Sequence, residues 1–412
     1  MAVVHNVSAR PQVDIDAPEG KADRVAIVGW MTRDSAGRVC AAAGLDMKGK
    51  TAVILVNDPG YATGDEDLFN GRAMTYYGRW TYKYEEASRQ GAAGAIIVHE
   101  EKPAAYPWAV VQNGAARPQL DIDAPDGNAD RVAIEGWMTR DSAERVFAAA
   151  GLDYDQMKAR AAKPGFKPVS MGLNASASVR NAVRRATSSN VIGLVEGSKR
   201  PDEYVIVTAH WDHLGKALAF AGDSVFNGAI DNATGMAALL ELARAFTEVQ
   251  PRPERTVIFA ALTGEESGLL GSLYYGENPT VPLASVAGGI NIDAMYVYGR
   301  TRDVTVVGYG GSELEQYLAE AAARQDRVVR PEPTPEKGAY YRSDHFNLAK
   351  KGVPMLYAKG GIDSREHGSD WGLAQQADYI SNRYHKPTDE FDPGWDMSGV
   401  IEDVALYFDV AY

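Results

Sequence analysis

Six residues could carry metal chemistry: His210, Asp231, Glu265, Glu266, Asp293 and His385, in that order along the chain. Two imidazoles and several carboxylates can hold two divalent ions, one imidazole on each and one carboxylate shared. Mixed imidazole and carboxylate donors suit zinc best, and cobalt and manganese also accept them. Singly, these residues say little. A strand-end His is usually a structural hydrogen-bonding group, a Glu-Glu pair is usually solvated surface, and an Asp before a helical run is usually an N-cap. Their joint placement points to a metal centre.

Three short apolar runs create that placement. Residues 204–209 (YVIVTA) read as a buried strand that stops on His210, Trp211, Asp212 and His213. Residues 256–262 (TVIFAAL) run into Thr263, Gly264, Glu265 and Glu266, and residues 288–292 (GGINI) run into Asp293. Buried parallel strands deliver the residues after them to the crevice at the carboxyl ends of an open α/β sheet. Asp231 and Asn232 open an amphipathic run in which Met236, Leu239, Leu240, Ala243 and Phe246 are expected on one helical face. His385 comes from a distant segment, YHKPTDE.

The stretches TAHWDH, GAIDNATG, TGEESGLLGS, NIDAMYVYG, YRSDHFNLAKKGVP and RYHKPTDE resemble the successive motifs of the M28 zinc exopeptidases, from about Asn190 to the C-terminus. The resemblance implies a co-catalytic metallo-aminopeptidase with two zinc ions. His210 and Asp293 would hold one ion, Glu266 and His385 the other, and Asp231 would bridge them. Glu265 takes the place of the family's general base, and Asp212 that of a carboxylate orienting the His210 imidazole. In this chemistry a metal-bridging water is the nucleophile, and Glu265 passes its proton to the leaving nitrogen. Tyr384, beside His385, could donate its hydroxyl to the developing oxyanion. Asp344 and His345 match the family's SDH motif and are read as structural support. His213 and His367 are read as non-ligands. The polar, Gly-rich residues 359–372 are expected to rim the site as a loop.

Composition bounds the partners. The 412 residues exceed one typical domain, and 45% hydrophobic content is ample for a full core. A formal net charge of −13, from 55 acidic and 42 basic residues, argues against nucleic acid or an anionic membrane as partner. No apolar run reaches membrane-spanning length. The single cysteine, Cys40, excludes an intrachain disulfide and a thiolate metal site. It is compatible with the cytosol or a bacterial periplasm. The resemblance implies a periplasmic or secreted protein, although residues 1–12 read as no signal peptide.

Residues 2–46 repeat at 109–153 without a gap, with about four positions in five identical. Two copies are too few for a solenoid. Each copy reads as a strand (24–30; 131–137) followed by a helix (34–43; 141–150), with Thr32 and Thr139 as N-caps. Between them, GKTAVILVNDPG and EEASRQGAAGAIIVHE resemble a protease-associated (PA) domain. The aromatic-rich residues 69–84 are expected to pack that unit or its contact with the rest. The expected organisation is a duplicated segment at 1–46 packed on a PA-like domain at 47–162, followed after Lys163-Pro164-Gly165 by a catalytic domain at 163–412.

The fold expected is α/β: a mixed, mostly parallel sheet with helices on both faces, of the zinc exopeptidase type, plus the small β-rich α/β PA-like domain. The function expected is a di-zinc aminopeptidase acting on peptides with a free N-terminus. A carboxypeptidase or dipeptidase would use the same ligands. It would need an arginine for the substrate carboxylate, with Arg342 and Arg383 as candidates. A glutaminyl-cyclase-like acyl transferase, with one zinc, and a non-catalytic binding protein are the remaining alternatives. The sequence does not specify oligomeric state.

Overall fold

The computed structural model describes residues 2–8, 12–16, 25–28, 46–115, 118–123, 131–178, 181–216 and 222–412. The expected helix at 34–43, its Thr32 cap and Cys40 lie outside the described residues.

The larger unit is built on a seven-stranded sheet. Its order is Val191–Val195, Arg255–Leu262, Arg200–His210, Val286–Asn291, Met355–Gly360, Asp303–Val306, Val328–Pro331. Two pairings are antiparallel, Val191–Val195 with Arg255–Leu262 and Asp303–Val306 with Met355–Gly360, and the others are parallel. The sheet is mixed and mostly parallel, as expected. Its central strands are β-branched and apolar because both faces are covered. Val207, Val257 and Phe259 face one core with helices Gly235–Glu248 and Ser398–Ala411. Ile206, Ile258 and Ala260 face another with Tyr275 and Leu348. Strand Arg200–His210 lies between Arg255–Leu262 and Val286–Asn291. The chain therefore leaves it in opposite directions, which opens a crevice at its carboxyl end.

Two local expectations change. On helix Gly235–Glu248 the buried face is Ala238, Leu239, Leu242 and Phe246, whereas Leu240 is 64% exposed. The 3.6-residue period turns Leu240 out beside Leu239. Residues 359–372 are not all loop, because helix Gly368–Asn382 starts within them. Arg302 and Arg365 exchange main-chain hydrogen bonds with Asp363 and Arg300, which seats the remaining loop on residues 300–302. No helix among the described residues is long and apolar enough to cross a membrane.

The smaller unit has a five-stranded sheet ordered Ile134–Thr139, Gly94–His99, Thr51–Leu55, Val25–Val28, Val169–Ser170, parallel but for the last strand. Both copies of the repeat contribute: Val25–Val28 from the first and Ile134–Thr139 from the second flank the two central strands. The Thr139 hydroxyl caps helix Arg140–Ala149 by accepting from the Ser142 amide at 3.3 Å. The copies also differ. Residues 2–8 are a strand paired with Asn181–Thr187 and with Gln119–Ile122, while their counterparts lie in helix Trp108–Ala115. Four of these seven positions are identical and three differ, Val7 against Gly114 among them, so both sequence and neighbours contribute to the two states. Met171 and Leu173 are buried with Phe147 and Tyr154 in the small unit's core, so a limit at residue 162 falls short of its packing.

The strands within residues 2–28 pair with 119–122, 181–187, 174–178, 51–55 and 169–170, and neither they nor these partners carry any of the candidate metal residues, although 119–122 touches the turn Glu265–Ser267. Deleting residues 2–46 should therefore leave metal content intact while baring the edge of Thr51–Leu55. Solubility or oligomeric state should change more than turnover per folded chain. Metal stoichiometry and light scattering of the truncated protein check this. Folded protein that cannot hold metal would assign the segment to the catalytic unit.

Candidate metal centre

Three strand ends and two loops converge in the crevice. His210 is the last residue of its strand and is buried. Its Nδ1 lies 3.0 Å from the main-chain oxygen of Asp212. Its Nε2 lies 3.3 Å from Asp231 Oδ1 and 3.5 Å from Asp293 Oδ1. The other Asp231 oxygen, Oδ2, is 3.3 Å from His385 Nε2, which is also 3.1 Å from Glu266 Oε2. Asp231 thus stands between two imidazoles, one oxygen toward each.

Local structure sets these positions. Asp231 lies in the irregular turn Ala229–Thr234, ahead of its helix. The buried Asp389 carboxylate accepts from the amides of Ile230 and Asp231 at 3.1 Å and fixes that turn. The side chain of Asn232 accepts from the Ala294 amide and donates to the Ile292 oxygen, tying the turn to the Asp293 strand. Gly228 has φ +64°, and a Cβ there would meet Asp231 O at 2.5 Å and His213 at 2.6 Å. His385 also has positive φ, +56°, rare for a non-glycine residue. The Tyr384 ring stacks on it at 3.9 Å, and Asn113 of the small unit donates to its main-chain oxygen at 3.3 Å.

Asp212 acts differently from the expectation. Its carboxylate is 3.9 Å from His210 Nδ1 and does not orient that ring; its main-chain oxygen does. The carboxylate instead accepts from the consecutive amides of Glu265 (3.0 Å) and Glu266 (3.3 Å). This fixes the backbone from which two adjacent acidic side chains must diverge.

His213, read as a non-ligand, is brought into the site, with Nδ1 2.6 Å from Glu266 Oε1. Two compact donor groups result: His210, Glu265 and Asp293, and His213, Asp231 and Glu266, each with ligand atoms within 4.8 Å of one another. His385 reaches both Asp231 and Glu266 of the second group. Glu265 therefore lies among the first group's donors. His367 is elsewhere, packed on Trp371 at 4.6 Å. Asp344 is fully buried and pushed up to about 7 by burial. His345, lowered to about 3 by burial, packs between Tyr340 and Tyr357. The Tyr357 hydroxyl donates to Asp293 Oδ2 at 3.4 Å, so this motif backs the site from behind.

The electrostatics fit a cation site. Burial disfavours charge on His210 and His385, yet the facing carboxylates raise both, His385 to about 9. Burial and the neighbouring Glu266 and Asp293 push Glu265 well above the usual carboxylate range. Burial also disfavours the charged forms of Asp231 and Glu266, but the imidazoles hold both below that range. Four carboxylates and three imidazoles crowd together in the crevice, and His210 Nε2 faces both Asp231 and Asp293. Such a surplus of buried negative charge calls for cations. The donors are those zinc accepts.

Residues 190–409, more than half of the sequence, match Peptidase family M28. The chain belongs to peptidase family M28. Among curated relatives, it is 28% identical over 212 residues to a probable zinc metalloprotease of Leptosphaeria maculans, covering 50% of this chain and 48% of that protein. It is 37% identical over 121 residues to Aminopeptidase NAALADL1 of Mus musculus, covering 28% of this chain and 15% of that protein. The chain thus spans about half or less of the length of these relatives. Among solved structures, an aminopeptidase from Aneurinibacillus sp. strain AM-1 shares the fold, with TM-score 0.50 and 18% identity over 100% of this chain and 83% of that one. The M28 match starts at residue 190 and so covers only the larger unit.

His213 was within reach of sequence reasoning, three residues after His210 in TAHWDH, as was Asp389, four after His385 in HKPTDE. Tyr357 and Asn113 carried no such signal, because only the fold brings them to the site.

Proposed function

We propose that the chain is a zinc-dependent aminopeptidase using two zinc ions. His210 and Asp293 would hold one, Glu266 and His385 would hold the other, and Asp231 would serve both. The observation that carries the reading is Asp231, with one carboxylate oxygen 3.3 Å from each of two imidazoles. Bound zinc supplies an acidified water and a polarised carbonyl. Glu265, buried and with raised proton affinity, takes a proton from the attacking water and returns it to the leaving amine. Asp212 holds base and ligand in register through their amides. Burial, with Asp231 beside it, keeps the Tyr384 hydroxyl protonated, so it serves as a donor to developing oxyanion charge. His213 orients Glu266. The smaller unit is a protease-associated domain packed against the catalytic unit; Tyr76 sits on Phe346 at 4.9 Å, and Met74 donates its amide to Pro335.

The test is hydrolysis of free and N-acetylated aminoacyl anilides, with and without added zinc. Zinc-dependent release from the free substrates alone is expected. Equal release from the acetylated ones would overturn the N-terminal specificity. Metal binding without hydrolysis of either would favour a binding protein.

A further inference from the structure

His385 reaches the crevice from the loop after helix Gly368–Asn382, not from a strand end. Its φ of +56° lies in the left-handed region that a residue with a Cβ rarely adopts. Such a conformation persists only where its surroundings hold it. On the side-chain side, His385 Nε2 faces Glu266 Oε2 at 3.1 Å and Asp231 Oδ2 at 3.3 Å, and the Tyr384 ring stacks on the imidazole at 3.9 Å. On the main-chain side, the loop closes on itself. Tyr384 N donates to Tyr379 O at 2.8 Å, Lys386 N to Arg383 O at 2.9 Å, and Asp389 N to Lys386 O at 3.1 Å. None of these bonds uses the His385 oxygen. That oxygen accepts instead from the Asn113 side-chain amide of the smaller unit, at 3.3 Å and from 272 positions away in the chain.

Asn113 is itself held in place. It lies in helix Trp108–Ala115. At the start of that helix the Trp108 ring meets the buried His99 edge-on at 5.4 Å. At its end Gln119 Nε2 donates to the Gly114 oxygen at 2.7 Å. Strand Gln119–Ile122 then touches the turn Glu265–Ser267. One stretch of the smaller unit therefore reaches both the His385 oxygen and the turn that carries Glu265 and Glu266. His210, by contrast, ends a strand in the middle of the seven-stranded sheet, so its backbone is fixed within the larger unit.

We propose that Asn113 is a positioning residue of the metal centre. Its hydrogen bond to the His385 main-chain oxygen holds the left-handed backbone that aims the imidazole. The ion at His385 then depends on the smaller unit, and the ion at His210 does not. The two metal positions are unequal, one built inside a sheet and one completed across the seam between the units. This rests on the two-ion reading above.

The experiment measures zinc binding to the whole chain, by calorimetry and by release to a chromophoric chelator. It compares the wild type with Asn113→Asp, Asn113→Ala and Gln112→Ala. Asn113→Asp keeps the shape and loses the donor, and Gln112 is an exposed neighbour on the same helix. Both Asn113 variants should bind one of the two ions about 3- to 10-fold more weakly, the usual effect of losing one hydrogen bond. The other ion, and both ions in Gln112→Ala, should be unchanged. Combined variants identify the affected ion. In His210→Ala protein, Asn113→Asp should weaken the ion that remains, and in His385→Ala protein it should add nothing. Equal weakening of both ions would make Asn113 a general support of the seam, and no weakening would reduce its contact to packing. Either result overturns the proposal. The readout is metal, so it stands apart from hydrolysis. Two bound ions, one of them sensitive to Asn113, without cleavage of any aminoacyl anilide would sink the peptidase reading and keep the positioning role. Cleavage with both ions indifferent to Asn113 would do the reverse. Fewer than two ions in the wild type would overturn the two-ion reading and this proposal together.

Discussion

Glu265→Gln is expected to retain its zinc and to lose turnover by about 10²–10⁴-fold, the usual contribution of a general base. The substitution keeps shape and hydrogen-bonding capacity and removes the ability to take a proton. The Glu265 amide stays clamped by Asp212, so the neighbouring Glu266 keeps its place against His213 and His385. Zinc analysis beside steady-state rates on an aminoacyl anilide checks it. Because Glu265 also lies within the donor group of His210 and Asp293, the metal measurement is decisive. A variant that loses one ion makes Glu265 a ligand, and one with near-normal rate removes it from the chemistry.

Asp231→Ala is expected to cost both ions, whereas His210→Ala and His385→Ala each weaken mainly one. Asp231 is the residue whose two oxygens face different imidazoles, and a shared carboxylate also offsets repulsion between neighbouring cations. The turn that carries it is held through main-chain amides by Asp389 and through Asn232. The side chain can therefore be removed without dismantling its support. Zinc stoichiometry after dialysis distinguishes the three variants. Two ions remaining in Asp231→Ala would show that the centre is not bridged by this residue.

That His210, Glu265, Glu266 and Asp293 come together was legible because each ends or follows an apolar run, and strand ends in an open sheet share one crevice. The role of Asp212 was half legible. Its proximity to His210 followed from sequence spacing, but which of its oxygens faces the ring depends on where the Glu265 and Glu266 amides lie. Helix Gly368–Asn382 was hidden by its glycines. Gly372 is there because a Cβ would meet the Ile362 oxygen at 2.0 Å, a packing need that looks like loop composition in a sequence. The Asn113 contact with His385 and the Tyr357 contact with Asp293 join residues far apart in the chain. Local patterning carries no trace of them.

Two near-identical segments flank the same pair of central strands in the small unit, which has a consequence in time. During synthesis the first copy is available to Thr51–Leu55 well before its duplicate exists. At ribosomal speeds of about 5–20 residues per second, the second follows roughly 5–20 s later. Vectorial emergence thus assigns each copy its own edge by order of arrival. A chain refolded whole from denaturant has no such head start, and both copies compete for both edges at once.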